Sequence, residues 1–339
     1  MKTLSIGVAG TAKNTGKTTT LLALIDCARA DGFKKIGLTS IGYDGEYRDN
    51  VTGLAKPRVF VREGDIVAVS EGCIKLSEAE LLPLERLDIQ TPLGKIAVCS
   101  VRREGLLLVA GPSRKKELKT VIERLKAYGA ELIFVDGALS RIVPMSETDG
   151  LVLATGAALT TNFESLCQNS AAILDVLSCG LSGADENILR LGSVFDADDL
   201  LKLMAALREN ESVQIDGIIA LEQLVSLSEQ ELNIGKKTLI FSDPTSLLVS
   251  GDSILLSRTI KELSKQKIAV KTRRALKPLA LTVNPYHPKY LPESQSYEAA
   301  YVDKIELIKS VRKAIKNTPS ADIIAEGARD LWSEIMRVL

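Results

Sequence analysis

Residues 10–19, Gly-Thr-Ala-Lys-Asn-Thr-Gly-Lys-Thr-Thr, combine small side chains, hydroxyls and two lysines in one short run. Small residues let a backbone curl until its N–H groups point at phosphate oxygens. Lys17 would then reach the β- and γ-phosphates, and the Thr18 hydroxyl would hold Mg²⁺. A helix beginning at this point adds the positive end of its dipole. The candidate cradle is therefore Gly10, Thr11, Ala12, Lys13, Asn14, Thr15, Gly16, Lys17, Thr18 and Thr19. Lys13 is either a second phosphate-directed lysine or an ordinary solvated one.

Three other side chains could join this chemistry. Asp136 follows the apolar run Leu-Ile-Phe-Val at 132–135, and a carboxylate at such a strand end binds Mg²⁺ directly or through water. Capping a turn is its alternative role. Asp44 follows the apolar run 35–40; it either orients a water or metal ion beside the cradle, or is a turn aspartate before Gly45. Arg141 either contacts a phosphate or an anionic partner, or is a surface arginine. The candidate catalytic set is Lys17, Asp44, Asp136 and Arg141. The metal set is Thr18, Asp44 and Asp136.

These residues need a scaffold, and the hydropathy pattern suggests one. Residues 3–9 read as a buried strand and 20–30 as an amphipathic helix stopped at Asp31-Gly32. Strand, glycine-rich loop, Gly-Lys-Thr and helix is the order of a P-loop. The spacing departs from G-x-x-x-x-G-K-[ST], because the first glycine is Gly10 and Thr11 stands in its place. Further strands are expected at 35–40, 105–110, 132–135 and 151–154, with helices at 114–128 (capped by Ser113) and 162–177. In doubly wound sheets, ligands sit outside the carboxyl ends of strands. Residues 10–19, Asp44, 111–113, 136–141 and 155–157 should thus gather on one rim.

The expected architecture is α/β: a doubly wound, mostly parallel sheet of P-loop NTPase type. Its core is expected at 1–51 and 105–190. Short β-like segments at 52–104 read as an insertion projecting over the rim. Residues 191–339 read as a C-terminal α/β region, with strands at 215–221, 238–241, 268–271 and 279–283 and a helical tail. Asn284 is a candidate contact for a base or partner, and His287 a loop histidine.

Composition narrows the function. Lysine plus arginine equals aspartate plus glutamate at 43, so the net charge is zero and nothing favours nucleic acid or an anionic membrane. Aromatics at 4% give few stacking platforms for single strands. One histidine rules out a multi-histidine metal site. Five dispersed cysteines without a C-x-x-C pair fit reduced thiols in a cytoplasmic protein. No apolar run reaches the length of a membrane helix. Asn/Thr-Lys-x-Asp is absent at any strand end, so ATP is the expected nucleotide.

The loop 13–18, Lys-Asn-Thr-Gly-Lys-Thr, resembles that of the molybdopterin-guanine-dinucleotide adaptor family. It is also similar to the dethiobiotin-synthetase and MinD group within the SIMIBI class of P-loop NTPases. That resemblance implies ATP and Mg²⁺ as ligands, Asp44 near the metal, and a homodimer across the nucleotide face. The runs Asp136-Gly-Ala-Leu-x-Arg141 and 148–157 resemble the reactivase subunits that accompany adenosylcobalamin-dependent aminomutases such as lysine 5,6-aminomutase. This implies an ATP-driven accessory protein acting on an inactivated mutase together with a partner ATPase. An ATP-dependent small-molecule ligase or kinase of dethiobiotin-synthetase type is the alternative, with Lys56, Arg58 or Arg141 at its substrate.

Overall fold

Continuous apolar runs make strands buried on both faces, and such strands form parallel sheets covered by helices. The computed structural model describes residues 3–42, 59–183, 188–230 and 234–339. It begins with β1 (Leu4–Gly10), α1 (Lys17–Ala30), β2 (Ile36–Ser40), β3 (Val59–Val61), β4 (Ile66–Ser70), α2 (Glu71–Leu76), β5 (Glu80–Thr91) and β6 (Gly94–Arg103). β7 (Gly105–Leu107), α3 (Lys115–Ala127), β8 (Leu132–Ala138), β9 (Gly150–Gly156) and α4 (Phe163–Leu177) follow. Next come β10 (Gly180–Leu181), β11 (Leu189–Leu191), α5 (Ala197–Glu209), β12 (Ser212–Ile215), α6 (Leu221–Glu229), β13 (Lys237–Phe241), α7 (Pro244–Leu248), α8 (Ser253–Lys265) and β14 (Ile268–Thr272). The chain closes with β15 (Lys277–Asn284), β16 (Tyr286–Leu291), β17 (Ser296–Tyr301), α9 (Lys304–Ala314), β18 (Ser320–Ala321), α10 (Ile323–Glu326) and α11 (Arg329–Val338).

Two compact units result: Met1–Cys167 with Pro278–Leu339, and Gln168–Lys277. The division therefore differs from the boundary expected at 190/191. The stretch 191–339 is not one region, because residues from Pro278 onward return to the first unit.

The first unit is a mixed α/β fold around a nine-stranded sheet in the order β18-β15-β9-β1-β8-β2-β4-β6-β5. β1 runs parallel to both β8 and β9, and β2 runs parallel to β8 and β4. At one edge β6 pairs antiparallel with both β4 and β5. Of the segment expected to project as an insertion, β4, β5 and β6 instead widen this sheet. β4 is Ile-Val-Ala-Val-Ser with every residue buried, and an apolar strand of that kind cannot stand away from a core.

Two other expectations change. Residues 105–110 do not enter the main sheet; β7 pairs antiparallel with β3 as a separate ribbon. Ser113 does not cap α3. The N-cap is Arg114, whose backbone N–H donates to the Glu117 carboxylate at 3.2 Å.

The C-terminal helix closes the first unit from behind. Trp332, the chain's single tryptophan, is fully buried, with its ring 6.5 Å from that of Phe134 on β8. Its Nε1 donates to Asp31 Oδ2 at 2.7 Å, and Arg329 Nη1 lies 2.5 Å from Asp31 Oδ1. Asp31 is the C-cap residue of α1, so α11 is pinned to the end of the helix that begins at the cradle.

The second unit is a five-stranded parallel sheet in the order β10-β14-β13-β12-β11. The strand expected at 215–221 ends at Ile215, and Leu221 already begins α6. His287, expected in a loop, lies instead on β16 of the β16–β17 hairpin, opposite Ala300.

The Trp332 hydrogen bond, and next the Arg329 contact, hold the Asp31 carboxyl below its ordinary range. A depressed folded-state value contributes stability that is present above the unfolded value near 3.9 and lost as pH falls through the folded one. Trp332→Phe keeps most of the apolar surface but removes the donor. Its thermal midpoint should be lowered at neutral pH and should depend less steeply on pH in the acid limb than that of the wild type. Trp332→Ala should destabilise the unit by about 3–5 kcal/mol in chemical denaturation.

Candidate functional site

The loop between β1 and α1 bends where its sequence permits. Gly16 has φ +84° and Asn14 has φ +62°, both in the left-handed region that glycine and asparagine tolerate best. The early glycine has a packing reason. A Cβ on Gly10 would stand 2.9 Å from Thr15 Oγ1 and 3.2 Å from the Ala12 carbonyl, so the loop folds back over position 10. Thr15 is buried and donates to that Ala12 carbonyl at 2.9 Å. Thr11 extends the strand pairing: its N–H donates to the Ala154 carbonyl at 2.9 Å, and its hydroxyl donates to Thr155 Oγ1 at 3.1 Å. Lys13 is exposed, while Lys17, Thr18 and Thr19 are half-buried in the first turn of α1.

That turn is electrostatically suited to an anion. The N-cap is Gly16, no side chain caps the helix, and no acidic residue lies in its first turn. The leading N–H groups of a helix are donors without intrahelical acceptors, and a phosphate is the natural complement at such an end.

Asp136 sits within β8 and is buried, and Lys17 Nζ lies 3.2 Å from its Oδ1. The register places Gly10 beside Ala138 and Ala154, which brings β1, β8 and β9 to the same edge. Arg141 follows in a 3₁₀ turn, Leu139–Arg141, and packs over Gly42 after β2; a Cβ on Gly42 would lie 2.7 Å from its Nη1. Gly42 is tied in turn to residues 111–112: its N–H donates to the Pro112 carbonyl, and Gly111 N–H donates to the Gly42 carbonyl. Residues 10–19, 40–42, 111–112, 136–141 and 155–157 therefore form one rim. Asp44, Lys56 and Arg58 lie outside the described residues.

Asn284 belongs to this rim more firmly than its sequence position indicates. It ends β15, and its Nδ2 donates to the Asn14 carbonyl at 3.2 Å. Its own carbonyl accepts Ala157 N–H at 2.9 Å, and its Oδ1 accepts Tyr286 N–H at 3.1 Å. A Cβ on Gly16 would lie 3.2 Å from the Asn284 side chain. Asn284 thus clasps the loop to the end of β9. Deeper on the same flank, Thr20 Oγ1 and Thr282 Oγ1 share a buried hydrogen bond of 2.7 Å. A shallow depression of about 10 Å³ adjoins the start of α1, lined by Gly16, Thr19, Asn284, Asp322 and Ile323 among others.

Thr18 and Asp136 are the described members of the expected metal set, and among the described residues no group of three or more His, Cys, Asp or Glu side chains is placed to hold a metal. A divalent ion here would therefore complete its shell with phosphate oxygens and water, the habit of Mg²⁺. Thiol chemistry is not favoured. Burial pushes Cys73 and Cys179 up to about 11 and Cys99 up to about 12, leaving them protonated and inert at neutral pH. Among the described residues no helix is long and apolar enough to cross a membrane.

No family description and no curated protein matches the chain. Among solved structures it is similar to the MinC:MinD cell division protein complex of Aquifex aeolicus, at 9% identity over 99% of this chain and 95% of that one, with a TM-score of 0.29. It is also similar to a ParA family ATPase from Chlorobium tepidum TLS, at 12% identity over 78% of this chain and 97% of that one, with a TM-score of 0.24.

Asn284→Ala removes the clasp while leaving β15 in place. It should cost about 1 kcal/mol of stability. Amide hydrogen exchange should accelerate in residues 12–17 but not in α3, as read by mass spectrometry.

Proposed function

We propose that the first unit binds a Mg²⁺-nucleotide, ATP in our reading, and hydrolyses it slowly. The observation that carries this is the placement of Lys17, at an uncapped helix start and 3.2 Å from Asp136. Backbone N–H groups of residues 14–19 would hold the phosphates, Lys17 would neutralise the outer ones, and Thr18 with Asp136 would hold Mg²⁺. The bound ion would supply charge neutralisation at the phosphate oxygens. Arg141 lies on the same rim and is the second cation directed to the phosphates or to an anionic partner. Asp44 is retained as the residue that orients a water or metal.

The Lys17–Asp136 contact also bears on the order of events. The ammonium group stands beside the carboxylate that a metal needs, so incoming phosphates must draw Lys17 away before Asp136 is available. Nucleotide and metal should therefore bind together.

The wider role we propose is that of a nucleotide-switched accessory protein. It would act with a partner ATPase to restore an inactivated adenosylcobalamin-dependent aminomutase, and would itself form a homodimer. The second unit, Gln168–Lys277, supports this reading, since it supplies a separate α/β body beyond what nucleotide binding requires.

Nucleotide affinity and hydrolysis of the purified chain, beside Lys17→Ala, are the test. Wild type should bind Mg-ATP and turn over slowly, with faster turnover on adding a mutase client. Lys17→Ala should lose about 10–100-fold in affinity, the worth of one charge-assisted contact. Absence of binding in the wild type would refute the site reading; turnover of a small acid or amine without any protein would refute the accessory role.

Manganese, read by electron paramagnetic resonance, tests the coupling. Mn²⁺ uptake should require nucleotide in the wild type. Lys17→Met should take up Mn²⁺ without nucleotide more readily than the wild type does.

A further inference from the structure

The second unit carries a built cationic site of its own. All five of its strands are parallel, so their carboxyl ends open on one edge, the edge at which open α/β sheets take ligands. Arg273, the residue after β14, reaches across that edge. Its Nε donates to Gln214 Oε1 at 2.8 Å, and its Nη1 donates to the Gly183 carbonyl at 2.7 Å. One acceptor comes from β12 and the other from the turn after β10, so the guanidinium is gripped from both sides of its own strand.

Both grips are neutral. Gln214 is buried, and its Nε2 donates to Asp216 Oδ1, which turns its Oε1 toward the guanidinium. Among the described residues no carboxylate pairs with Arg273, which is half-buried. Five N–H donors on arginine leave three beyond these two bonds. Asp243, the acid at the end of β13, is turned into the start of α7, where it accepts from Thr245 and Ser246 N–H. Space is present too: a Cβ on Gly183 would meet nothing within 4 Å.

The register adds charge of the same sign. Arg190, Gln214, Ile240 and Lys271 are consecutive partners across four strands and so share one face. Asp216 is the acid beside them, 3.8 Å from Arg190. A half-withdrawn guanidinium with only neutral partners favours an anionic ligand, because desolvated charge is costly until it is matched.

We infer that the carboxyl edge of the second sheet binds a small molecule bearing an oxyanion, phosphate or carboxylate, with Arg273 as its anchoring contact. The site is independent of the nucleotide site and would give the second unit a ligand-sensing role.

The test is calorimetric titration of inorganic phosphate, with acetate in a parallel arm, into the full chain carrying Lys17→Ala. Ionic strength is held constant with chloride. The background substitution removes Lys17, the lysine at the start of α1, and uptake that survives Lys17→Ala but falls with Arg273→Gln reports the second unit. Saturable uptake is expected, weakened at least about tenfold when Arg273→Gln is added. Arg273→Lys keeps the charge but loses the fork that reaches both Gln214 and Gly183, and should also weaken uptake. It serves if Arg273→Gln does not fold, as judged by circular dichroism. Preference for phosphate or for acetate would assign the oxyanion. Uptake unchanged in a folded Arg273 variant, or no saturable uptake in either arm, would overturn the inference.

Discussion

The leading N–H groups of α1 have no acceptor in the helix and no capping side chain, and the surrounding rim is arranged around that deficit. Gly16 occupies the N-cap with a left-handed backbone, so the chain enters the helix from an angle that leaves the amides uncovered. Acidic residues are absent from the first turn, and a lysine stands there instead. Such an end is poorly satisfied without an anion. The loop is held open from several directions: Thr15 folds onto Ala12, Thr11 is stitched to β9, and Asn284 grips Asn14 from β15.

Charge placement follows from the same constraint. Parallel alignment of β1 with β8 puts Asp136 within reach of Lys17, so acid and base share an edge made by two strands far apart in sequence. The two groups are complementary with or without a ligand: the lysine can stay beside the carboxylate or turn to phosphates, with the carboxylate then free to meet a cation. The arrangement behind this edge is rigid. Trp332 and Arg329 fix the far end of α1 through Asp31, so the helix that presents the cradle is anchored at both termini.

Local features were legible along the chain. The β1–loop–α1 unit is contiguous, and a glycine-rich turn between an apolar run and an amphipathic one has few other solutions. Asp136 was legible because an apolar strand ending in an acid marks itself. Asn284 was not assigned to the loop: it touches Asn14 across 270 positions, and an asparagine before proline reads equally well as an ordinary turn. The β16–β17 hairpin was hidden for a related reason, since two prolines near its first strand mimic a loop and its pairing partners lie beyond a turn.

Apolar periodicity and turn chemistry by themselves marked most of the strands and helices around β1 and α1, and the glycine-rich loop between them. They did not determine which sheet each strand joined. Leu279–Val283 is apolar but for Thr282 and would suit either sheet, yet it lies in the first, beside β9. Residues 66–70, likewise, were strand-like on any reading and entered the main sheet instead of projecting from it. Burial of an apolar run is a local property with a local code. The choice of neighbour depends on register, on the helices that cover each face and on the whole path of the chain, and only the tertiary structure sums those terms.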